Sequence, residues 1–313
     1  MATRRIRRSR SIVSPLILDR ITMLFPLEGV DFSPIERQLR EWENDSDIRL
    51  YPSSGHRRGY RLNYKVILSL QGNKQDAFLQ FRPDNFGRNQ LRIDFNPAKL
   101  GSEKLDRLNV FLQCLIGSDH YYSEWQNATI SRIDFAVDLR NYELDDLLIF
   151  VRGKRRHGWG GGDNGIGLIQ WGGDRSHLYY VAYDKAKELR SRGIIPRTDK
   201  LTRIEARIRG SMKWQDVFLL QNPFSRIHLY VARRAFAFPV SEIEYALFFD
   251  SCRLHGNING ALQRIPNRNK RERYRQYLAP LECSWWNPEA IWSQTHGALD
   301  RFNEDMCNPD WAA

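Results

Sequence analysis

Residues 131–139 read S-R-I-D-F-A-V-D-L, and two of their side chains are carboxylates placed to act together. Ile133, Phe135, Val137 and Leu139 alternate with Arg132, Asp134, Ala136 and Asp138. That period of two predicts a β-strand with one apolar and one polar face. Asp134 and Asp138 therefore project from the same face. Two aspartates on one strand face repel each other unless a positive charge lies between them. A hard divalent cation bound through carboxylate oxygens is one such charge; the guanidinium of Arg132 on a solvated face is the other. Two later stretches carry further reactive types. Residues 177–185, H-L-Y-Y-V-A-Y-D-K, form an aromatic strand ending on Tyr183-Asp184-Lys185. Residues 202–210, T-R-I-E-A-R-I-R-G, alternate Ile204, Ala206 and Ile208 with Arg203, Glu205, Arg207 and Arg209, so Glu205 stands on a polar face among arginines.

Taken in order, a strand with two Asp, a strand ending in Tyr-x-Lys and a strand with R-I-E resemble the rolling-circle replication initiators, the Rep proteins of plasmids and filamentous-type phages. The resemblance covers residues 62–209. It includes the G-G-D-R-S turn at residues 172–176 and the I-D-F-N-P-x-K phrase at residues 93–99. Where members of that family often carry an Arg just before the tyrosine, this chain has Val181-Ala182. The resemblance implies a metal-dependent DNA nicking-closing endonuclease with Tyr183 as nucleophile and Lys185 neutralising the phosphate. Asp134, Asp138 and Glu205 would hold one Mg²⁺ or Mn²⁺, which would polarise the scissile phosphate. The nick would leave a 5′-phosphotyrosine and a free 3′-OH. The implied partners are origin DNA, single-stranded or supercoiled, and a host helicase, in the cytoplasm of a bacterial host; a homodimer is compatible. Tyr179 shares the Tyr183 face by period and is the second candidate nucleophile, whereas Tyr180 points the other way, into the core.

Composition agrees with a nucleic-acid partner. Forty-eight Lys and Arg against 37 Asp and Glu give a net charge of +11, and the pI is about 9.6. Arg4, Arg5, Arg7, Arg8 and Arg10 crowd the start, and residues 1–20 read as a disordered basic arm for DNA phosphates. The apolar segment after it is too short to span a membrane and is cut by Pro15. None of Cys114, Cys252, Cys283 and Cys307 has a C-x-x-C spacing, so no zinc finger is suggested, and reduced thiols of a cytosolic protein are expected. Residues 158–167 are glycine-rich but lack G-K-[ST], and no Walker A motif stands elsewhere, so no intrinsic helicase motor is expected.

These pieces predict an α+β fold: curved antiparallel sheets built from hairpins with packing helices, followed by a helical C-terminal region. Strands are expected at residues 61–70, 77–81, 90–95, 166–171 and 178–183. Helices are expected at 34–43, 105–116, 142–154, 184–191 and 241–253. Residues 21–235 form the expected nicking domain. Residues 236–313 form a helical region that either recognises the origin through the basic run at 267–277, with Arg271 and Arg273, or caps the sheet. Arg203 and Arg207 are further DNA-binding candidates. Competing functions are a two-histidine relaxase, a transposase-type strand transferase and a sequence-specific regulator without catalysis. None of the seven histidines alternates with another on one strand, which disfavours the first.

Overall fold

The structure, a computed structural model, describes residues 11–28, 32–42, 48–53, 60, 62–68, 75–82, 88–125, 127–154, 156–160, 167–173, 175–231, 240–255 and 258–307. The strands are β1 (Ile17–Glu28), β2 (Arg49–Pro52), β3 (Leu62–Ile67), β4 (Ala77–Arg82), β5 (Arg88–Phe95) and β6 (Thr129–Arg140). They continue with β7 (Leu147–Val151), β8 (Arg156–Gly160), β9 (Leu168–Trp171), β10 (Leu178–Asp184), β11 (Leu201–Lys213) and β12 (Ile227–Val231). The helices are α1 (Phe32–Trp42), α2 (Pro97–Ile116), α3 (Ser118–Trp125), α4 (Lys185–Ser191), α5 (Glu242–His255), α6 (Ile258–Gln263), α7 (Arg268–Leu278), α8 (Pro288–Trp292) and α9 (Thr295–Cys307). The fold is α+β with extensive antiparallel sheet and a helical C-terminal region, as the hairpin pattern predicts.

The chain divides into two compact units, and neither is contiguous. Unit 1 comprises residues 1–15, 136–206 and 222–292; unit 2 comprises 16–135, 207–221 and 293–313. Strands β6 and β11 each contribute to both. The expected domain boundaries at residues 20 and 235 do not coincide with this division.

In unit 2 the hydrogen-bonded strand order is β2-β3-β4-β5-β1-β6. Strand β1 was expected to be partly arm, yet Ile17–Glu28 forms a long strand paired with β5 from Ile21↔Phe95 to Glu28↔Arg88. The expected arm is shorter for a physical reason. Ile21, Met23, Phe25 and Leu27 alternate and are fully buried, a stripe too apolar to leave in water. They pack under α2, α3 and α9. Phe25 meets Tyr121 and Trp125, each at 5.9 Å between ring centroids, and Phe302 of α9 meets Trp214 at 5.3 Å. Helix α2 starts where the phrase N-P-x-K predicts a break: Asn96 caps it by accepting from the Lys99 amide, and Pro97 takes the first turn. Gly101 then adopts φ 68°, a left-handed backbone that interrupts the helix after that turn.

In unit 1 the order is β6-β11-β10-β9-β8, with β12 and β7 forming a separate antiparallel pair. Residues 142–154 were expected as a helix because acidic residues precede basic ones. Instead a 3-10 turn at Leu144–Asp146 leads into β7. All five β7 residues are buried, and the run L-L-I-F-V has no helical period to leave a polar side out. Helices α5, α6 and α7 cover this pair through Tyr245, Phe248, Phe249, Cys252, Leu262 and Tyr274, packed with Leu148 and Phe150. Among the described residues no helix is long and apolar enough to cross a membrane.

Candidate active site

Hairpin β9–β10 positions the tyrosines. Its turn needs Gly172 at φ 83°, and a Cβ there would lie 3.3 Å from Tyr179 Cβ, so both backbone sign and space call for glycine. Strand β10 runs from that turn to Asp184, whose carboxylate accepts the Lys187 amide and caps α4. The register places Tyr183 opposite Leu168 and Tyr180 opposite Trp171.

The three tyrosines are thereby separated by environment. Tyr180 is fully buried, donates to the Pro223 carbonyl at 2.9 Å, and burial pushes its phenol up to about 12 despite the nearby Arg226. Tyr179 is also buried, at 2% exposure. Tyr183 is only half-buried and donates to Glu205 Oε1 at 2.7 Å. Glu205 sits on β11, the strand beside β10, and is itself buried. A phenol at the surface thus has a buried carboxylate within hydrogen-bond reach to accept its proton.

Lys185 is buried at the start of α4, with Nζ 5.8 Å from the Tyr183 ring centroid. That ammonium also binds Glu188 Oε2 at 2.7 Å. Burial raises the Glu188 carboxyl, but the hydrogen bonds from Lys185 and Arg192 outweigh it and hold the group below its usual range.

The other carboxylates are spoken for by arginines. Arg203 clasps Asp138 with Nε and Nη2 at 2.6 and 3.0 Å in unit 1. The Asp138 backbone is fixed too: its amide donates to Ser14 Oγ and its carbonyl accepts from the Ser14 amide, each at 2.9 Å. In unit 2, Arg132 clasps Asp134 with Nη2 at 2.6 Å and Nε at 2.9 Å, and Arg207 stands 3.8 Å away. So the structure brings Tyr183, Lys185 and Glu205 together, and it pairs each aspartate with guanidinium. Among the described residues no group of three His, Cys, Asp or Glu side chains is arranged to hold a metal ion. As placed, Asp134, Asp138 and Glu205 do not fit the expected Mg²⁺ or Mn²⁺: two are neutralised and the third accepts from a phenol.

Of the DNA-binding candidates, Arg203 is buried against Asp138, and Arg207 is partly exposed beside Asp134. On α7, Arg271 donates to the Ile265 carbonyl at 2.9 Å, whereas Arg273 is exposed at the wall of a cavity of about 430 Å³ with Asn269, Lys270 and Tyr277. Arg4, Arg5, Arg7 and Arg8 lie outside the described residues, as does most of the glycine-rich stretch.

Sequence reasoning missed a second acid–arginine cluster in unit 2. Asp94 on β5 is gripped by Arg20 at 2.7 and 2.8 Å and by Arg92 at 3.0 Å. Arg92 also donates to Gln80, which donates to Asn63 at 2.5 Å, so a polar chain crosses β5, β4 and β3. A signal was present. R-I-D-F occurs at residues 92–95 and again at 132–135, and R-I-E follows at 203–205. In the first two the Arg folds back two positions onto its own Asp.

No known family model matches the chain, and no curated protein does. Among solved structures, a rolling circle replication initiator protein from Geobacillus stearothermophilus is similar at TM-score 0.37 and 14% identity, over 79% of this chain and 98% of that one.

Proposed function

We propose that the protein is a DNA strand transferase that nicks one strand by attack of Tyr183 on a phosphodiester, in the manner of a rolling-circle replication initiator. The observation that carries this reading is the 2.7 Å hydrogen bond from the half-buried Tyr183 hydroxyl to buried Glu205. A phenol with an ordinary pKa near 10 is a poor nucleophile at neutral pH, and a carboxylate within hydrogen-bond reach can take its proton as the bond forms. In the step, Tyr183 Oη bonds to phosphorus, the phenolic proton passes to Glu205, and the bond from phosphorus to the 3′ oxygen breaks. That oxygen leaves with a proton from solvent, giving a 5′-phosphotyrosine and a 3′-OH. Lys185 supplies positive charge beside the phenol as charge develops on the phosphate. The net charge of +11 supports the choice of a polyanionic substrate.

Asp138 acts through Arg203 as a positioning pair for β11, the strand that presents Glu205. No step is assigned to a metal, because the carboxylates as placed do not form its ligand set. Exposed Arg273 on α7 and the basic residues before Ile12 are the proposed contacts for origin DNA. The test is incubation with supercoiled DNA carrying the cognate origin, followed by a denaturing gel. A protein–DNA adduct that disappears in Tyr183→Phe supports the reading. An adduct mapping to Tyr179, or origin binding with no adduct under any metal condition, would point to another nucleophile or to a non-catalytic regulator.

A further inference from the structure

Helix α4 ends in a motif that accounts for one exposed isoleucine and not for the next. Gly193 takes φ 71°. Its amide donates to the Arg190 carbonyl and the Ile194 amide to the Leu189 carbonyl, each at 2.9 Å. In this left-handed glycine cap the residue after the glycine commonly lays an apolar side chain against the last helical turn. Ile194, 39% exposed, stands at that position. Ile195 lies beyond it and has no such role. It is 92% exposed, the highest value among the exposed large apolar side chains of the described residues.

The tip is pinned on both sides. Pro196 confines the backbone of Ile195 to an extended conformation. Arg190 Nη2 donates to the Asp199 carbonyl at 2.7 Å, which ties the returning chain to α4, and Thr198 Oγ1 donates to the Lys200 carbonyl at 2.8 Å. A pinned apolar side chain keeps its place when it enters a stack of bases, and isoleucine is among the types that proteins insert between base steps. The basic residues nearby are partly engaged. Arg192 shares Glu188 with Lys185, Arg190 stands 3.9 Å from Asp199, and Lys200 turns to Glu143 and Asp146. Lys187 and Arg197 are exposed and flank the tip in sequence.

The tip is also placed close to the proposed nucleophile, within unit 1. Tyr183 stands two residues before α4 and Ile195 four residues after it. The helix between them rises roughly 10 Å, about three base steps at roughly 3.4 Å each.

We propose that Ile195 is a wedge that inserts between stacked bases of duplex DNA and opens the strand that Tyr183 attacks, with Lys187 and Arg197 against the flanking phosphates. This adds a duplex-opening activity to the nicking reading and rests on that reading for its ligand class, DNA. The insertion itself needs no chemistry at Tyr183.

The experiment uses the full chain in the Tyr183→Phe background, so that no bond is cut. The probe is a duplex of alternating T-A steps, the easiest to open, with 2-aminopurine at its centre, whose fluorescence rises when its neighbours unstack. The Tyr183→Phe protein should raise the signal about threefold, and adding Ile195→Leu should change nothing. Adding Ile195→Ser should leave the signal within about 20% of the free duplex, while anisotropy at about 50 mM salt shows all three proteins binding. Ile195 is exposed, so thermal melts of the three should agree. No rise with the Tyr183→Phe protein, or a rise that survives in Ile195→Ser, overturns the proposal. An equal loss of binding to single-stranded oligo-dT in Ile195→Ser also overturns it, because Ile195 would then be a general contact. If unstacking depends on Ile195 but no DNA ever forms an adduct, the nicking reading falls and the wedge stands. An adduct at Tyr183 with unstacking indifferent to Ile195 does the reverse.

Discussion

The polar faces of the two units start from the same local grammar and end differently. In each, three antiparallel strands lead into a helix capped by an Asn or Asp, at Asn96 in unit 2 and Asp184 in unit 1. Near that cap unit 2 places Asp94, clasped by Arg20 and Arg92. Unit 1 places Tyr183 against Glu205. A carboxylate between two guanidiniums is an ion-pair network and has no proton to give. A phenol on a buried carboxylate has a proton, a route for it and a surface. The difference between an ion-pair network and a phenol–carboxylate pair therefore comes down to which residue stands at one strand end.

Replacing Tyr183 by Phe should break the contrast most completely. Adduct formation should fall by at least about a thousandfold, the scale on which loss of a nucleophile acts. Asp94→Asn in unit 2 should leave the adduct yield within about threefold. Both are read on the same denaturing gel, and thermal melts check that each variant is folded.

Glu205→Gln sharpens the assignment of base. It keeps an acceptor for the Tyr183 hydroxyl and removes the proton sink, so the nicking rate should drop about 10²–10⁴-fold while origin binding is retained. Rates equal to the parent would move the base elsewhere.

Stability should distinguish the ion pairs. Arg203→Ala strips the partly buried Asp138 of its clasp and should cost about 2 kcal/mol in urea unfolding, whereas Arg275→Ala, whose pair with Glu272 is exposed, should cost under about 1 kcal/mol. Magnesium addresses the same carboxylates. With Asp134 and Asp138 held by arginines, millimolar Mg²⁺ should leave the melting temperature unchanged. A rise that vanishes in Asp138→Asn would restore the ligand set expected from sequence.

The smallest effect is the acid limb. Burial raises the Asp94 carboxyl, but the hydrogen bonds and charge of Arg20, with Arg92 and Arg132 behind them, hold it below the usual 3.8. Because its folded value lies below its unfolded one, its contribution is complete above the unfolded value and is lost as pH falls through the folded value. Asp94→Asn should therefore flatten the loss of melting temperature below about pH 4 and do little at neutral pH.

The legible parts of this fold were those with a clean period. Strands β6, β10 and β11 alternate, and the turn glycines and the Asn96 and Asp184 caps mark their ends. Strand β7 was misread because L-L-I-F-V is buried on both sides and has no period, while the charges flanking it mimic a helix. Strand β1 was hidden by Pro26 in a strand that lies between two others. The reactive types were visible, but their partners were not. Arg203 finds Asp138 across 65 positions and Arg20 finds Asp94 across 74, and nothing in local pattern says which cation a carboxylate will meet. Asp134 and Asp138 were expected to bind a metal, and in the structure an arginine meets each of them.

The interleaving of the two units has a consequence for how the chain is made. The path passes between them at residues 15/16, 135/136, 206/207, 221/222 and 292/293. Unit 2 begins with β1 but completes its aromatic core only with Phe302 and Met306 of α9. During synthesis at about 5–20 residues per second, most of its apolar strands emerge well before the helix that covers them. Unit 2 cannot complete its core until α9 has emerged from the ribosome. A fragment that ends before α9 lacks Phe302 and Met306 and so carries an incomplete unit 2 core.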